Sequence, residues 1–318
     1  MKDIIEDFLV RKKEGYYCRY GNFYIDAMQP VSVNLISHAH GDHATAGHGQ
    51  MFATQATFAL MKNKFPKMPE MAMRVVPFGE IFRLGEVEVC FIPAGHMLGS
   101  AQIYMRYQGV AYLYTGDYKL QTDPTCEPIQ VVRADVLITE STFAEPGISH
   151  PDPQEEILKL RGRSSNIMLG CYTLGKAQRL TAMINQHLPE REVLVHHKIY
   201  PIHKLYDQYG HVALKYALYN RKAMKDGTAN KIYLVPPLTF NSYFRAKNVL
   251  KAFASGWERL QKQNDIELYI SDHVDWKDIL HFVTQVQPKQ IWTIHGEGRH
   301  LRRYFEDKLF VRDILSHI

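Results

Sequence analysis

The stretch NLISHAHGDH, Asn34 to His43, ends an apolar, β-branched run with four potential metal ligands, His38, His40, Asp42 and His43, within six positions. Side chains two apart along a strand point the same way. His38 and His40 at a strand end therefore face one point, while Asp42 and His43 in the following turn can face a second one close by. Imidazole nitrogen and carboxylate oxygen are ligands for Zn, Mn and Fe alike. The spacing predicts a metal site ahead of a merely polar loop, and a metal site requires a fold that gathers other strand ends around this one.

Two later strand ends offer the right groups. PAGHMLGS places His96 in a loop whose Gly95 and Gly99 let the backbone crowd a site, and YLYTGDYK ends at Asp117. Alone, His96 reads as an exposed loop histidine and Asp117 as a turn former. Asp26 in FYIDA reads equally as a turn residue or as support for a site.

Short β-branched and aromatic runs stopping at Gly, Pro or Asp fill the first 140 residues, among them GNFYID, VSVNLIS, IFRLGEVEVCFIP, AQIYMRY, GVAYLYTGD and ADVLITES. They predict a sheet-rich domain over 1–160 with irregular loops at strand ends, where α/β proteins tend to place chemistry. After AEPGISHPDPQEE the texture changes. Helix-length amphipathic segments, KAQRLTAMINQH and SYFRAKNVLKAF, alternate with strand-like EVLVH and KIYLVPP, which predicts a small α/β unit over 161–262. The tail over 263–318, with IELYISDHVDW, KDILHFVTQV and QIWTIHGEG, returns to strand, loop, helix and strand.

With 46% hydrophobic and 22% charged residues over 318 positions, the chain has apolar material for such a body. No run approaches the roughly 18 to 20 apolar residues that cross a bilayer, and the start MKDIIEDFLVRKKEG mixes charge signs where a secretory signal would be apolar. A soluble, cytoplasmic protein with no membrane partner is expected. Cys18, Cys90, Cys126 and Cys171 make no CxxC pair and are expected to be reduced. The net charge of +5 permits a polyanionic partner without requiring one, since the basic residues are dispersed.

Taken in order, HxHxDH, Gly95-His96 and Thr115-Gly116-Asp117, each closing a strand, resemble the motifs of the metallo-β-lactamase fold. That resemblance implies an α/β chain built as an αββα sandwich, with two divalent transition-metal ions, Zn ahead of Mn or Fe. It implies that His38, His40 and His96 hold one ion, that Asp42 and His43 hold the other, and that Asp117 bridges both. Asp26 resembles the family's early strand aspartate, which supports the site from behind. The fold hosts many chemistries and does not by itself give the substrate.

Three further strand ends narrow the branch. Glu140 in LITESTF, His273 in YISDHVDW and His295 in TIHGEG resemble the extra motifs of the β-CASP nucleases, and YTLGKAQRL resembles the start of their inserted domain. By this resemblance 161–262 is a β-CASP-type cap, compact because 132 residues lie between Glu140 and His273. With YYCRYGNFYID, PAGHMLGSAQI, GDYKLQTDPTCEP, AFASGW and SDHVDW, the chain resembles the bacterial ligase-associated DNA exonucleases, also labelled mRNA 3′-end processing factors, from about residue 16 to 300.

The implied function is a two-metal phosphodiester hydrolase, a DNA exonuclease in repair, with DNA favoured over RNA as partner and a functional link to a DNA ligase and a helicase. Asp42 and Asp117 serve the metals and the chemistry, and His295 completes the second metal's ligand set. His273 binds the scissile phosphate and gives a proton to the leaving oxygen, and Glu140 orients and charges it. Thr173, as cap of a helix beginning near Lys176, would leave free backbone N–H groups beside a lysine, a favourable anion site, or else an ordinary capped helix with a solvated lysine. Ser100 and Lys119, flanking metal motifs, are further phosphate candidates. Asp272 and Asp275 read as loop caps. His196, His197 and His203 lack a carboxylate at metal spacing, and His48 reads as a surface or supporting residue, so these four are expected outside the site. Two alternatives stand beside the DNA reading. One is an RNA 3′-end processing endo- or exoribonuclease, because His295 resembles the RNA-cleaving branch where the Artemis-like DNA enzymes carry valine. The other is a non-cleaving nucleic-acid-binding scaffold; such relatives usually lose ligands, and none is lost here.

Overall fold

The computed structural model describes residues 3–220, 230–243, 248–296 and 298–314. Two compact units emerge, one from Met1–Thr122, Glu127–Ser149 and His273–Ile318, the other from Asp123–Cys126 and His150–Asp272. The second unit exceeds the expected 161–262 at both ends. It starts earlier because Ile157, in the helix Pro153–Leu158, and Leu160 just after it pack into that unit's core with Leu180 and Ile184. It ends later because the strand Ile266–Leu268 pairs in parallel with Leu250–Ala254.

The first unit holds two sheets. One runs in chain order through Val10–Arg11, Tyr16–Cys18, Phe23–Ile25, Val33–Leu35, Gln50–Ala53 and Met73–Val75, antiparallel over its first three strands and parallel after them. The other is ordered Phe310–Asp313, Gln290–Ile294, Val136–Glu140, Val110–Tyr114, Ala101–Tyr107, Val87–Pro93 and Ile81–Leu84; its first four strands are parallel and the rest antiparallel. Period-two alternation explains how they pack. Val110, Tyr112 and Tyr114 join Phe23, Ile25, Leu35, Phe91 and Ile138 in a core shared by both sheets. Ala111 and Leu113, on the opposite face, pack with Ile279, Phe282, Val283 and Val286 of the helix Trp276–Val286. The three- and four-residue spacing of those helix positions is what a helix lying on a sheet requires. Asp275 starts that helix, its side chain accepting the Asp278 N–H at 3.0 Å. The helix Gln55–Lys64 packs along Met73–Val75 in the first sheet, which makes the layers α, β, β and α.

The second unit is a parallel sheet ordered Ala217–Leu218, Glu192–Val195, Lys231–Val235, Ile167–Gly170, Leu250–Ala254 and Ile266–Leu268. Here SYFRAKNVLKAF departs from the expected helix: Leu250–Ala254 is a strand, and residues 244–247 of that segment lie outside the described ones. A strand paired on both sides in a parallel sheet is covered on both faces, so its apolar run does not alternate and can pass for a helical one. KAQRLTAMINQH forms the helix Lys176–His187, and its polar side is buried as well. Lys176 donates to the Ile270 carbonyl at 2.5 Å and lies 3.2 Å from Asp272, while Arg179 donates to the Ser271 carbonyl and to Asp272 at 2.7 and 2.9 Å. All four cysteines are buried free thiols. Among the described residues no helix is long and apolar enough to cross a membrane.

Candidate metal centre

Each element of the centre starts where a strand stops. Asp26 follows Phe23–Ile25 with φ at 50°, a left-handed backbone that a non-glycine residue holds only where its surroundings fix it. Its carboxylate accepts the Ser37 N–H at 2.8 Å, the Ser37 hydroxyl at 2.7 Å and the Tyr114 hydroxyl at 2.9 Å. It also lies 2.8 Å from Nδ1 of His43. Of its two sequence readings the supporting one holds, because a carboxylate on Nδ1 fixes the ring and turns Nε2 toward the centre.

Asp117 is where the groups converge. His38, His40, His96 and Asp117 form one set of ligand atoms within 4.8 Å of one another; His43, Asp117 and His295 form a second, and Asp117, Glu140 and His273 a third. Asp117 Oδ2 is 3.5 Å from His38 Nε2, 3.4 Å from His43 Nε2 and 3.9 Å from His96 Nε2. His96 Nε2 and His40 Nδ1 are 3.2 Å apart. His295 follows Gln290–Ile294 with φ at 53°, its ring centroid 5.1 Å from that of His43. Gly116, φ 56°, precedes Asp117 where a Cβ would come within 3.0 Å of the Ser37 side chain, so the turn that delivers Asp117 requires glycine.

A cation fits this donor set. Nε2 of His38 and Nε2 of His43 are buried without a hydrogen-bond partner, a costly state that a metal would relieve. Burial pushes the pKa of His38 and of His96 well below the ordinary histidine value, which keeps both rings in the neutral form that coordinates. At His43 burial acts in the same direction, but the Asp117 and Asp26 carboxylates outweigh it and raise the pKa well above ordinary. Burial alone would raise Asp117; the charges of His43 and His273 overcome it and hold the carboxyl well below its usual range. A metal at His43 must therefore displace a proton.

Glu140, the last residue of Val136–Glu140, is fully buried. It accepts the Tyr118 N–H at 3.1 Å and the Thr142 hydroxyl at 2.8 Å, and its two oxygens lie 2.9 and 3.2 Å from His273 Nδ1. His273 Nδ1 is 4.0 Å from Asp117 Oδ2, and 29% of its side chain is exposed. The ring is thus tethered at Nδ1 and partly exposed.

Several expected site residues are placed otherwise. Asp42 sits outside the three sets, its side chain 77% exposed and its Oδ2 4.0 Å from His43 Nε2, because the turn in which His43 and Ala44 both bond the His40 carbonyl carries it outward. Ser100 is buried, and its hydroxyl accepts the N–H groups of His96 and Met97 at 3.1 Å. Lys119 is buried and donates to the His96 carbonyl at 2.6 Å, so both residues shape the His96 loop. Lys176 is buried against Asp272, and the N-cap of its helix is Gly175, with Thr173 offering its carbonyl to Gln178 at 3.1 Å. Asp272 is an ion-pair partner of Lys176 and Arg179, and Asp275 is a cap.

Among the described residues, His48, His196, His197 and His203 join none of the donor sets. His203 is clamped between Gln178 and Thr181 at 3.0 and 2.8 Å; His196 accepts the Lys198 N–H; His48 ties the Val31 N–H to Asn34 and Thr45. Ser37, Tyr114 and Thr142, which hold Asp26 and Glu140, escaped the sequence reading. Their only signal is a hydroxyl at or beside a strand end, too common to single out.

Residues 266–309 match the family model described as the Zn-dependent metallo-hydrolase RNA specificity domain. A protein of Opitutus terrae named probable DNA ligase is 29% identical over 306 residues, covering 90% of this chain and 29% of that one. Endoribonuclease ysh1 of Aspergillus fumigatus is 27% identical over 206 residues, covering 50% and 23%. Cleavage and polyadenylation specificity factor 73 of Drosophila melanogaster is 26% identical over 201 residues, covering 51% and 29%. The chain thus spans less than a third of the length of these curated relatives. In fold it is similar to the crystal structure of a protein of unknown function from Enterococcus faecalis V583, with a TM-score of 0.60 at 13% identity, over 89% of this chain and 79% of that one. With its strand-end ligands gathered on Asp117 and these likenesses beside them, the chain has the architecture of the metallo-β-lactamase fold and is similar to Zn-dependent metallo-hydrolases and nucleases of the β-CASP kind.

Proposed function

We propose that the chain hydrolyses phosphodiester bonds at two divalent cations, Zn ahead of Mn or Fe, and that its substrate is DNA, taken from strand ends in repair alongside a ligase. The observation that carries this reading is the meeting of three donor sets on one Asp117 carboxylate. His38, His40 and His96 would hold one ion; His43 and His295, with Asp42 from the open rim, would hold the other; Asp117 would serve both. Such ions supply water activation near neutral pH and neutralise the charge that builds in an in-line displacement.

The chain's own residues do the rest. Glu140 accepts from His273 Nδ1, which leaves Nε2 to carry the second proton. That proton can hydrogen-bond a phosphate oxygen and then pass to the leaving oxygen as its bond to phosphorus breaks. Glu140, fixed by Tyr118 and Thr142, offsets the imidazolium charge while it lasts. Asp26 keeps the His43 ring aimed at the centre.

DNA is favoured because the relative named probable DNA ligase matches along 90% of this chain, against about half for the relatives named endoribonuclease. RNA is the second reading, favoured by the matched RNA specificity domain, whose span includes His273 and His295. End-labelled single- and double-stranded DNA and RNA, digested side by side with Zn or Mn, decide between them. The expected result is DNA shortened stepwise from one end; RNA cut while DNA stays intact would overturn the DNA reading.

A further inference from the structure

The second unit places its exposed apolar side chains along one edge. Among the described residues these are Tyr172, Leu218, Leu238, Tyr243, Trp257 and Leu260, and every one sits at, or on a segment leaving, the carboxyl end of a strand of the parallel sheet. Its described amino-terminal loops carry none. Solvent-exposed apolar groups gathered in one place mark a binding surface, and the carboxyl edge is where open parallel sheets bind ligands.

Register brings the aromatic members together. Gly170 pairs with Val235 on one side and with Phe253 on the other. The chain leaving Gly170 therefore reaches Tyr172, 53% exposed, between the segment carrying Leu238 and the one carrying Trp257. Trp257 is 37% exposed, and its backbone N–H is fixed by the Ser255 hydroxyl at 3.1 Å. The Arg259 guanidinium lies 5.1 Å from the Trp257 ring centroid. Exposed His197 and Lys198 follow Glu192–Val195, the strand on the far side of Lys231–Val235. Three inter-strand steps thus carry the row of rings and cations across roughly 14 Å. Glu258, an exposed acid, lies between Trp257 and Arg259.

We propose that this edge is a base-stacking platform for single-stranded nucleic acid, with Tyr172 and Trp257 taking bases and Arg259 and Lys198 the flanking phosphates. Rings on fixed backbone beside cations are what a strand with unpaired bases needs, since every base has a face to stack and every linkage a charge to neutralise. A duplex keeps its bases stacked on each other, so the platform selects unpaired strands or frayed ends. It is blind to sugar, and so adds strand form and not DNA or RNA identity to the nuclease reading, on which it rests.

The test uses the full-length protein with a labelled phosphorothioate single strand of about 12 nucleotides and an abasic strand of equal length. Tyr172→Ala and Trp257→Ala are each expected to weaken binding of the normal strand by about tenfold. Trp257→Phe should restore most of the loss, and the abasic strand should bind wild type and variants alike. Trp276 and Trp292 are buried, so fluorescence quenching by the normal strand reports Trp257. Hydrolysis of bis(p-nitrophenyl) phosphate, which offers no base, should be unchanged in all variants. Binding within about twofold of wild type in the Tyr172→Ala/Trp257→Ala double variant would overturn the platform. So would an equal loss on the abasic strand, which would assign the rings to another partner such as a protein. A wild-type chain that cuts neither nucleic acid nor the small diester would sink the nuclease reading, while the binding comparison would still decide the platform.

Discussion

Asp26 illustrates how much one side chain can organise at the residue scale: it fixes Ser37, Tyr114 and the His43 ring, yet belongs to none of the three donor sets. Asp26→Asn keeps the volume and loses the charge that orients His43. Metal affinity should fall about 10- to 100-fold by competition with a chelator, and an unchanged affinity would remove Asp26 from its supporting role. His203, in the second unit, provides a second residue-scale check. Burial lowers its pKa to about 4, from an ordinary 6.5. The unfolded chain therefore takes up the proton first, and the stability supplied by the neutral ring is complete above pH 6.5 and lost as pH falls from there to about 4. The loss amounts to about 3 kcal/mol. Wild type minus His203→Gln in denaturant midpoint, followed from pH 7 to 4, should shrink accordingly; a pH-independent difference would contradict it.

At the scale of elements, the helix Lys176–His187 is held by its charged side as much as by its apolar one. Asp272→Ala would leave Lys176 and Arg179 buried without their carboxylate and should destabilise the protein by about 3–5 kcal/mol in denaturant unfolding. A change below about 1 kcal/mol would mean that backbone carbonyls alone satisfy both cations. The same helix marks the limit of what sequence carried. Its span was legible from apolar spacing, but the ion pair that buries its polar face depends on a residue 93 positions away. Strand ends bearing His38, His96, Asp117, Glu140 and His295 were legible because ligand-type residues after β-branched runs are rare in combination. Leu250–Ala254 was misread because burial on both faces erases the two-residue period. The inward turn of Lys119 and Ser100 into the His96 loop was not legible, because sequence shows which residues flank a loop and not which way they turn.

At the scale of the whole molecule, the chain leaves the first unit after Ser149 and returns at His273. What returns is structurally required: Gln290–Ile294 pairs with Val136–Glu140 over five positions, so the strand that delivers His295 also lies against the one that delivers Glu140. His38 and His295 share a centre only because the second sheet is completed across that insertion. The central claim is that Asp117 joins two metal sites while His273 acts on the substrate. Metal content measured together with cleavage rate, in wild type, Asp117→Ala and His273→Ala, tests it directly. Wild type should carry about two transition-metal ions per chain; Asp117→Ala should lose metal and cleavage with its fold intact; His273→Ala should keep the metal and lose about 10²- to 10⁴-fold in rate. Full cleavage by Asp117→Ala, or by metal-free wild type, would contradict the account.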